Sequence, residues 1–524
     1  MTRTLFVGGH LYGAADRSAT ALVVDGDQIA WLGSDSAAAV HRDAVDHVVE
    51  LDGTLLTPAF VDAHVHTTSM GLALLGLDLS TTSSVGDLLQ RLEAHCRASR
   101  GGVILGHGWD ESAWVDARPP TRQEIDRASY GSVVYLSRID VHSCLASSAL
   151  LAIAPDAKMQ AGFDESGWLK QRAHHTVRAA AFESITPDQT SAAQLRALQH
   201  AASLGVGMLH ELGGPDINGA ADFQNLLVLA AREPGPEVVG YWGVGGGPEE
   251  AIALGARGAA GDLFVDGAIG SRTALLRKPY QDEATLGARY LTAADIRDHI
   301  IACSRQRVQA GFHVIGDGAM DLVAAAFNEA VEQVGIELVR AARHRLEHVE
   351  MVDASHIALF AKLGLVASVQ PLFDALWGGD SGMYVGRLGR DRAATLNPFA
   401  AMVTAGIPLA LGSDAPVTPL GPWAAVRAAA HHQTPQHRIS TRDAFEAHTS
   451  GGWRAAAFDE GGVLAAGAPA NLAIWRLDDQ TLQQPGNRIA DRSTAPGLPI
   501  LDLDSALPTC LRTVVRGSTV FLRD

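Results

Sequence analysis

Cysteine is scarce in this chain: Cys96, Cys144, Cys303 and Cys510 are its four, far apart and with no CxxC pair. That excludes a disulfide framework and a thiolate zinc knuckle. Long apolar runs are also missing. No uncharged apolar stretch reaches the ~20 residues that a membrane helix needs. The opening MTRTLFVGGHLYG has neither an apolar core nor a small-residue cleavage site, so no signal peptide is expected. A soluble, cytoplasmic protein is the expectation. Basic residues are outnumbered 41 to 58, for a net charge of -17, and form no basic stripe. Nucleic acid is therefore excluded as a partner, because phosphates need Lys and Arg. No repeat or low-complexity tract stands out, and 478–507, rich in Asp, Gln, Pro and Ser, reads as the nearest thing to a linker.

What is present is a hydrophobic fraction of 47% in 524 residues, enough for a large barrel and a satellite domain. The two ends look alike. Short β-rich runs at 3–8, 21–25, 28–33 and 46–51 match others at 471–477 and 511–522. Closely spaced strands with turn signals predict a small β-sandwich built from 1–57 and 460–524. Between them, eight apolar runs alternate with Ala/Leu-rich helical stretches: 59–64, 205–210, 236–242, 262–266, 311–315, 344–348, 364–369 and 407–412. That rhythm predicts a (β/α)8 TIM barrel over 58–459. Residues of about 67–200 break the rhythm and carry strand-like pieces at 103–107 and 133–138, so they read as a long insertion after the first barrel strand.

The strongest chemical signal is HVH, residues His64, Val65 and His66. Residues two apart on a strand face the same side, so both imidazoles point into the barrel mouth. Two neutral imidazoles on one face suit zinc or another borderline divalent metal. Alone, such a pair arises by chance at a strand end. His313 in GFHVIGD, His348 in HRLEHVE and Asp414 in LGSDAPV each stand where a later barrel strand should stop. Singly, each reads as a hydrogen-bonded structural residue. Together they place four imidazoles and one carboxylate on one rim, which packing does not explain.

In order and spacing these residues resemble the amidohydrolase superfamily. The runs TPAFVDAHVH, GHGWDES, LFVDGAIGSRTALL, FHVIGDGAMD, RLEHVE, ASVQPLF and LGSDAPVTPLGPW resemble its YtcJ-like branch, which includes N-substituted formamide deformylases. The resemblance implies the barrel, the split sandwich, the insertion and metal roles for His64, His66, His313, His348 and Asp414. One departure stands out. Relatives carry a lysine, often carboxylated and bridging two metals, in the run VKLFVDG, where this chain reads GDLFVDG with Asp262. Asp262 is left between bridging, binding one ion and binding none, so one divalent ion is expected ahead of two. The entry into the C-terminal strands, APANLAIW, has Asn471 where relatives have Asp, with only a local turn consequence expected.

The expected chemistry is hydrolysis of a non-peptide C–N bond in a small molecule by a metal-activated water. Asp414 accepts the proton and passes it to the leaving nitrogen. Glu347, beside His348, is a candidate to orient an imidazole. His142, His210, Arg272 and Trp109 are candidates to touch substrate, each against an equal claim of plain packing. Asp110, Asp140, Glu211 and Asp266 stand near them with weaker claims, and Asp317 is expected to shape the loop after strand five. His107, His174, His175, His431 and His432 fit no metal spacing and are assigned surface or structural roles. Ester or phosphoester hydrolysis on the same scaffold is one alternative, and a catalytically silent metal-binding regulator is another. Trp109, Trp114, Trp168 and Trp377 make an apolar or aromatic amide the expected substrate. Oligomeric state is not legible here, although relatives of this kind are often homo-oligomers.

Overall fold

The computed structural model describes residues 2–14, 18–98, 102–115, 117–477 and 497–523. Eight parallel strands follow one another in chain order. They are Phe60–Val65, Val206–Gly213, Glu237–Trp242, Gly258–Ala259, Gln309–Val314, Arg345–His348, Val366–Val369 and Leu409–Leu411. The first strand, FVDAHV, is buried along its whole length. Burial on both faces is why such strands read as continuous apolar runs rather than alternating ones.

The barrel closes at the seam between its eighth and first strands. Just past them, Asp414 N–H donates to His64 O at 2.7 Å and His66 N–H donates to Ala415 O at 3.0 Å. The Asp62 carboxylate braces the seam, accepting the N–H groups of His64 at 3.1 Å and Ser413 at 2.9 Å. Gly412 permits this approach, because a Cβ there would lie 2.6 Å from His64 N.

The fourth strand departs from the expectation of 262–266. Its regular part is Gly258–Ala259. The chain then kinks and rejoins the fifth strand through one bridge, Phe264 to His313. The kink presses Gly261 against the second strand's end, where a Cβ would meet Gly213 O at 2.0 Å. It leaves Asp262 on the rim rather than inside a strand.

Two further sheets unite the chain ends as expected. One has the order Gln28–Gly33, Ala21–Asp25, Arg3–Val7, His47–Glu50. The other has the order His10–Leu11, Leu55–Pro58, Leu472–Arg476, Thr509–Val515, Ser518–Leu522. Phe6, Leu22, Ile29, Leu56, Leu472 and Val514 share one core between them. Asn471 does more than shape a turn. Its amide donates to Glu237 Oε2 at 2.7 Å and its oxygen accepts Arg516 N–H at 2.8 Å, tying these strands to the barrel. Of the expected linker, 478–496 lie outside the described residues, while Leu498 and Leu501 are buried in the main core.

The insertion between the first two barrel strands folds around its own five-stranded sheet. The order is Trp168–Lys170, Ser143–Ala146, Val134–Arg138, Ile104–Trp109, Leu77–Asp78. Helix Val85–Ala98 packs on one side of it and helix Gln171–Phe182 on the other. A buried charge network fastens the insertion to the barrel loops. Arg138 meets Asp110 at 2.7 Å, Glu111 at 2.8 Å and Asp140 at 2.8 Å. Arg387 then joins Glu111 at 3.0 Å to Asp282 at 2.7 Å. Among the described residues, no helix is long and apolar enough to cross a membrane.

Candidate metal centre

Seam closure sets His64, His66 and Asp414 side by side, and the kink after the fourth strand adds Asp262. His66 Nε2 stands 3.2 Å from both Asp262 Oδ2 and Asp414 Oδ1. His64 Nε2 stands 3.3 Å from Asp414 Oδ1 and 3.7 Å from Asp262 Oδ1. His348 Nε2 approaches Asp262 Oδ1 at 3.9 Å. Two overlapping groups have ligand atoms within 4.8 Å of one another: His64, His66, Asp262 and His64, His348, Asp414. His313 stands next to them, its ring centred 4.4 Å from that of His348. His348 and Asp414 both adopt left-handed backbone, at φ 70° and 56°. Non-glycine residues hold such conformations at a cost that clusters at functional sites.

The residues fit a divalent cation on their own chemistry. His64 Nε2, His348 Nε2, both ring nitrogens of His313, Asp262 Oδ1 and Asp414 Oδ1 are buried without a hydrogen-bond partner among the described residues. Polar atoms left this way are costly, and a shared cation satisfies them together. Protonation tells the same story. Burial works against a charge on His66, but Asp262 and Asp414 outweigh it and hold the imidazole at about 9. They raise His64 as well, against the same burial. Burial would raise Asp262 and Asp414, but the facing histidines hold both below the usual carboxylate range. A bound cation replaces those protons. His348, by contrast, is pushed down to about 3 by burial and by His313, and so offers a neutral lone pair.

Outer partners fix the rings. Glu347 orients His64 rather than its neighbour His348, accepting Nδ1–H at 2.8 Å. Burial would raise Glu347, but Arg345 and His64 override it and hold the carboxyl at about 2. Arg345 reaches Glu347 Oε1 at 2.5 Å and Ala63 O at 2.7 Å. His348 is set by Gln370, whose Oε1 lies 2.8 Å from Nδ1. Arg345 and Gln370 escaped the sequence reading. Arg345 alternates with Glu347 on one strand and so faces the same side, a pattern that the RLEH run does display.

The substrate candidates divide. His142 reaches the centre: its ring lies 5.1 Å from that of His313, and burial pushes it down to about 4. His210 lies behind His64 on the second strand, with Nδ1 3.3 Å from Arg345 Nη1. Arg272 turns away, pairing with Asp282 at 2.7 Å and Glu283 at 3.3 Å. Trp109 lies in the insertion's core, its indole N–H donating to Leu136 O at 2.9 Å. Asp110 is taken up by Arg138. Asp266 organises its loop, accepting N–H groups from Leu275, Ile315 and Gly316. Asp317 opens helix Asp317–Val334 and accepts Arg277 N–H at 2.8 Å, shaping the loop as expected. His175, assigned a surface or structural part, lines the cavity at the centre.

Two cavities meet at this point. One, of about 370 Å³, is walled by Ile269, Phe373, Trp377 and Tyr384 and reaches His313, His348 and Asp414. The other, of about 410 Å³, runs past His66, Asp262, His175 and Arg178.

A parallel barrel with a His/Asp cluster at the carboxyl ends of its strands is the architecture of a metal-dependent hydrolase. The chain belongs to the amidohydrolase family, whose profile matches residues 47–521. It is 28% identical to Protein LONG AFTER FAR-RED 3 of Arabidopsis thaliana, over 81% of this chain and 78% of that one. It is 26% identical to the putative amidohydrolase YtcJ of Bacillus subtilis, over 73% and 74%. It is 23% identical to the N-substituted formamide deformylase of Arthrobacter pascens, over 89% and 91%. Among solved structures, it resembles a metal-dependent hydrolase from Pyrococcus furiosus with a TM-score of 0.71 and 26% identity, covering 91% of this chain and 99% of that one.

Proposed function

We propose that this protein hydrolyses a C–N bond other than a peptide bond, an amide or formamide, in a small apolar or aromatic molecule. The observation that carries the reading is the convergence of unpartnered, buried His and Asp atoms on one point beside an aromatic-walled cavity. The likeness to a formamide deformylase supports the bond type. His64, His66, Asp262 and Asp414 hold one divalent ion, zinc first, with His348 and His313 completing its surroundings. When bound, that ion supplies a Lewis acid that polarises a carbonyl and lowers the pKa of a neighbouring water.

The chain's own groups do the rest. Asp414 takes the proton of the attacking water and returns it to the leaving nitrogen. Neutral His142 donates to the oxygen on which charge develops. Phe373 and Trp377 exclude water from their side of the site. Arg272 and Trp109 act through the loop and the insertion that they hold in place. Residues 58–459 carry the chemistry, while 1–57 and 460–524 buttress it. The free state of all four cysteines supports a cytoplasmic location.

The test pairs metal content by mass spectrometry with turnover on N-substituted formamides, aryl amides and the matched esters and phosphoesters. About one tightly held ion, with amine release lost on chelation, is the expected result. Turnover of esters or phosphoesters alone replaces the bond type. Absence of any bound metal after chelator-free purification removes the hydrolase reading.

A further inference from the structure

Arg178 lies on the insertion helix Gln171–Phe182 and is 7% exposed. A buried arginine normally meets a carboxylate, because its charge is costly to desolvate alone. The other arginines buried around this site obey that rule: Arg138 meets three carboxylates, Arg387 two and Arg345 one. Among the described residues, Arg178 has no carboxylate within 4.0 Å. One hydrogen bond, from Nη2 to Ser69 Oγ at 3.3 Å, uses a single donor of the five. Phe182 stacks 5.3 Å beneath the guanidinium and steadies it.

The unpaired fork faces space that leads to the metal centre. It lines the cavity of about 410 Å³ together with His66, Asp262, His313 and Asp414. It also lines an adjoining cavity of about 430 Å³, walled by Leu72, Leu105, Tyr135 and Phe182. With a cation on Asp262 and Asp414, Arg178 is the charged side chain left without a counter-ion among the described residues that line this space. An apolar cavity with one placed cation recognises an anion that carries an apolar group.

We infer that Arg178 is a specificity residue that binds a substrate carboxylate, so the substrate is an N-acylated apolar amino acid rather than a neutral amide. The inference rests on the hydrolase function proposed above. The carboxylate sits on the guanidinium fork, the apolar side chain fills the cavity beside Tyr135 and Phe182, and the N-acyl bond reaches the metal centre. Water adds across that C–N bond, releasing one carboxylic acid and one free amino acid.

A matched pair isolates the carboxylate: racemic N-formylphenylalanine and N-formylphenethylamine, which differ in that group alone. The metal-loaded wild type should favour the acid by about 10- to 100-fold in kcat/KM, the usual range for a lost hydrogen-bonded charge. Arg178→Gln, which can keep the Ser69 bond, should raise KM for the acid by that factor and leave the neutral formamide unchanged. Arg178→Lys should recover part of the loss. Equal use of both compounds by the wild type, or an equal loss on both in the variant, overturns the assignment. If neither compound is cleaved, the proposed function fails separately, and calorimetric binding decides the role of Arg178. Tighter binding of the acid to the wild type, erased in Arg178→Gln, upholds it, and equal binding rejects it.

Discussion

The barrel rim and the insertion above it both bury charge, and they balance it differently. On the rim, Asp262 and Asp414 face His64 and His66, a balance that protons hold in place of a cation. In the insertion, Arg138 is neutralised by Asp110, Glu111 and Asp140. Arg178, on the same insertion, meets no carboxylate among the described residues. Charge balanced by fixed carboxylates serves here as a fastening, and charge balanced by protons or by nothing marks the places where a ligand is proposed to bind.

The sharpest way to break the comparison is on the rim. Asp414→Asn should cut kcat by ~10²–10⁴-fold, the range for loss of a positioned acid–base group. Steady-state kinetics on a formamide reads it. Next come the two arginines. Arg138→Met strands buried carboxylates and should cost ~3–5 kcal/mol in denaturant unfolding. Arg178→Met strands none and should stay within ~1 kcal/mol, since Met keeps the packing of the stem. Equal costs would erase the distinction between fastening and binding charge.

A smaller effect is expected from Glu347→Gln, which loosens the orientation of His64 and should weaken metal affinity by ~10–100-fold in a chelator competition. A pH effect concerns Asp222, which burial and nearby Glu211 push up to about 7. Its pKa in the fold lies above the ordinary 3.8, so the folded state binds the extra proton in that window. Stability is therefore full below 3.8 and falls as pH rises toward about 7, by at most ~1.4 kcal/mol per unit. Asp222→Asn should flatten that slope in melts taken from pH 4 to 8.

The rim was legible in the sequence because strand-end residues carry their geometry with them. HVH places two rings on one side, and His313, His348 and Asp414 each follow a recognisable apolar run. Asp262 could not be settled, because its position depends on the kink at Gly261 rather than on strand alternation. The insertion was much less legible. Trp109 reads as a pocket residue by its motif, yet it packs in a core whose existence depends on distant strands. Arg178 stands four residues after His174 on the buried face of one helix, a spacing the sequence displays. What the sequence does not display is the missing counter-ion, which is a property of the folded surroundings.

The seam between the first and eighth strands has a kinetic meaning. Ser413 and Asp62 meet across 351 positions of chain. The side chains of the metal centre lie on both sides of that junction, so the group of His64, His348 and Asp414 is not assembled until the barrel has closed. Closure over so long a span is slow, because chain entropy is lost before the contact repays it. A captured cation would then act as a clasp, giving its binding energy to the last contact formed. Metal uptake would therefore report the completion of folding, and an early-halted chain would stay empty.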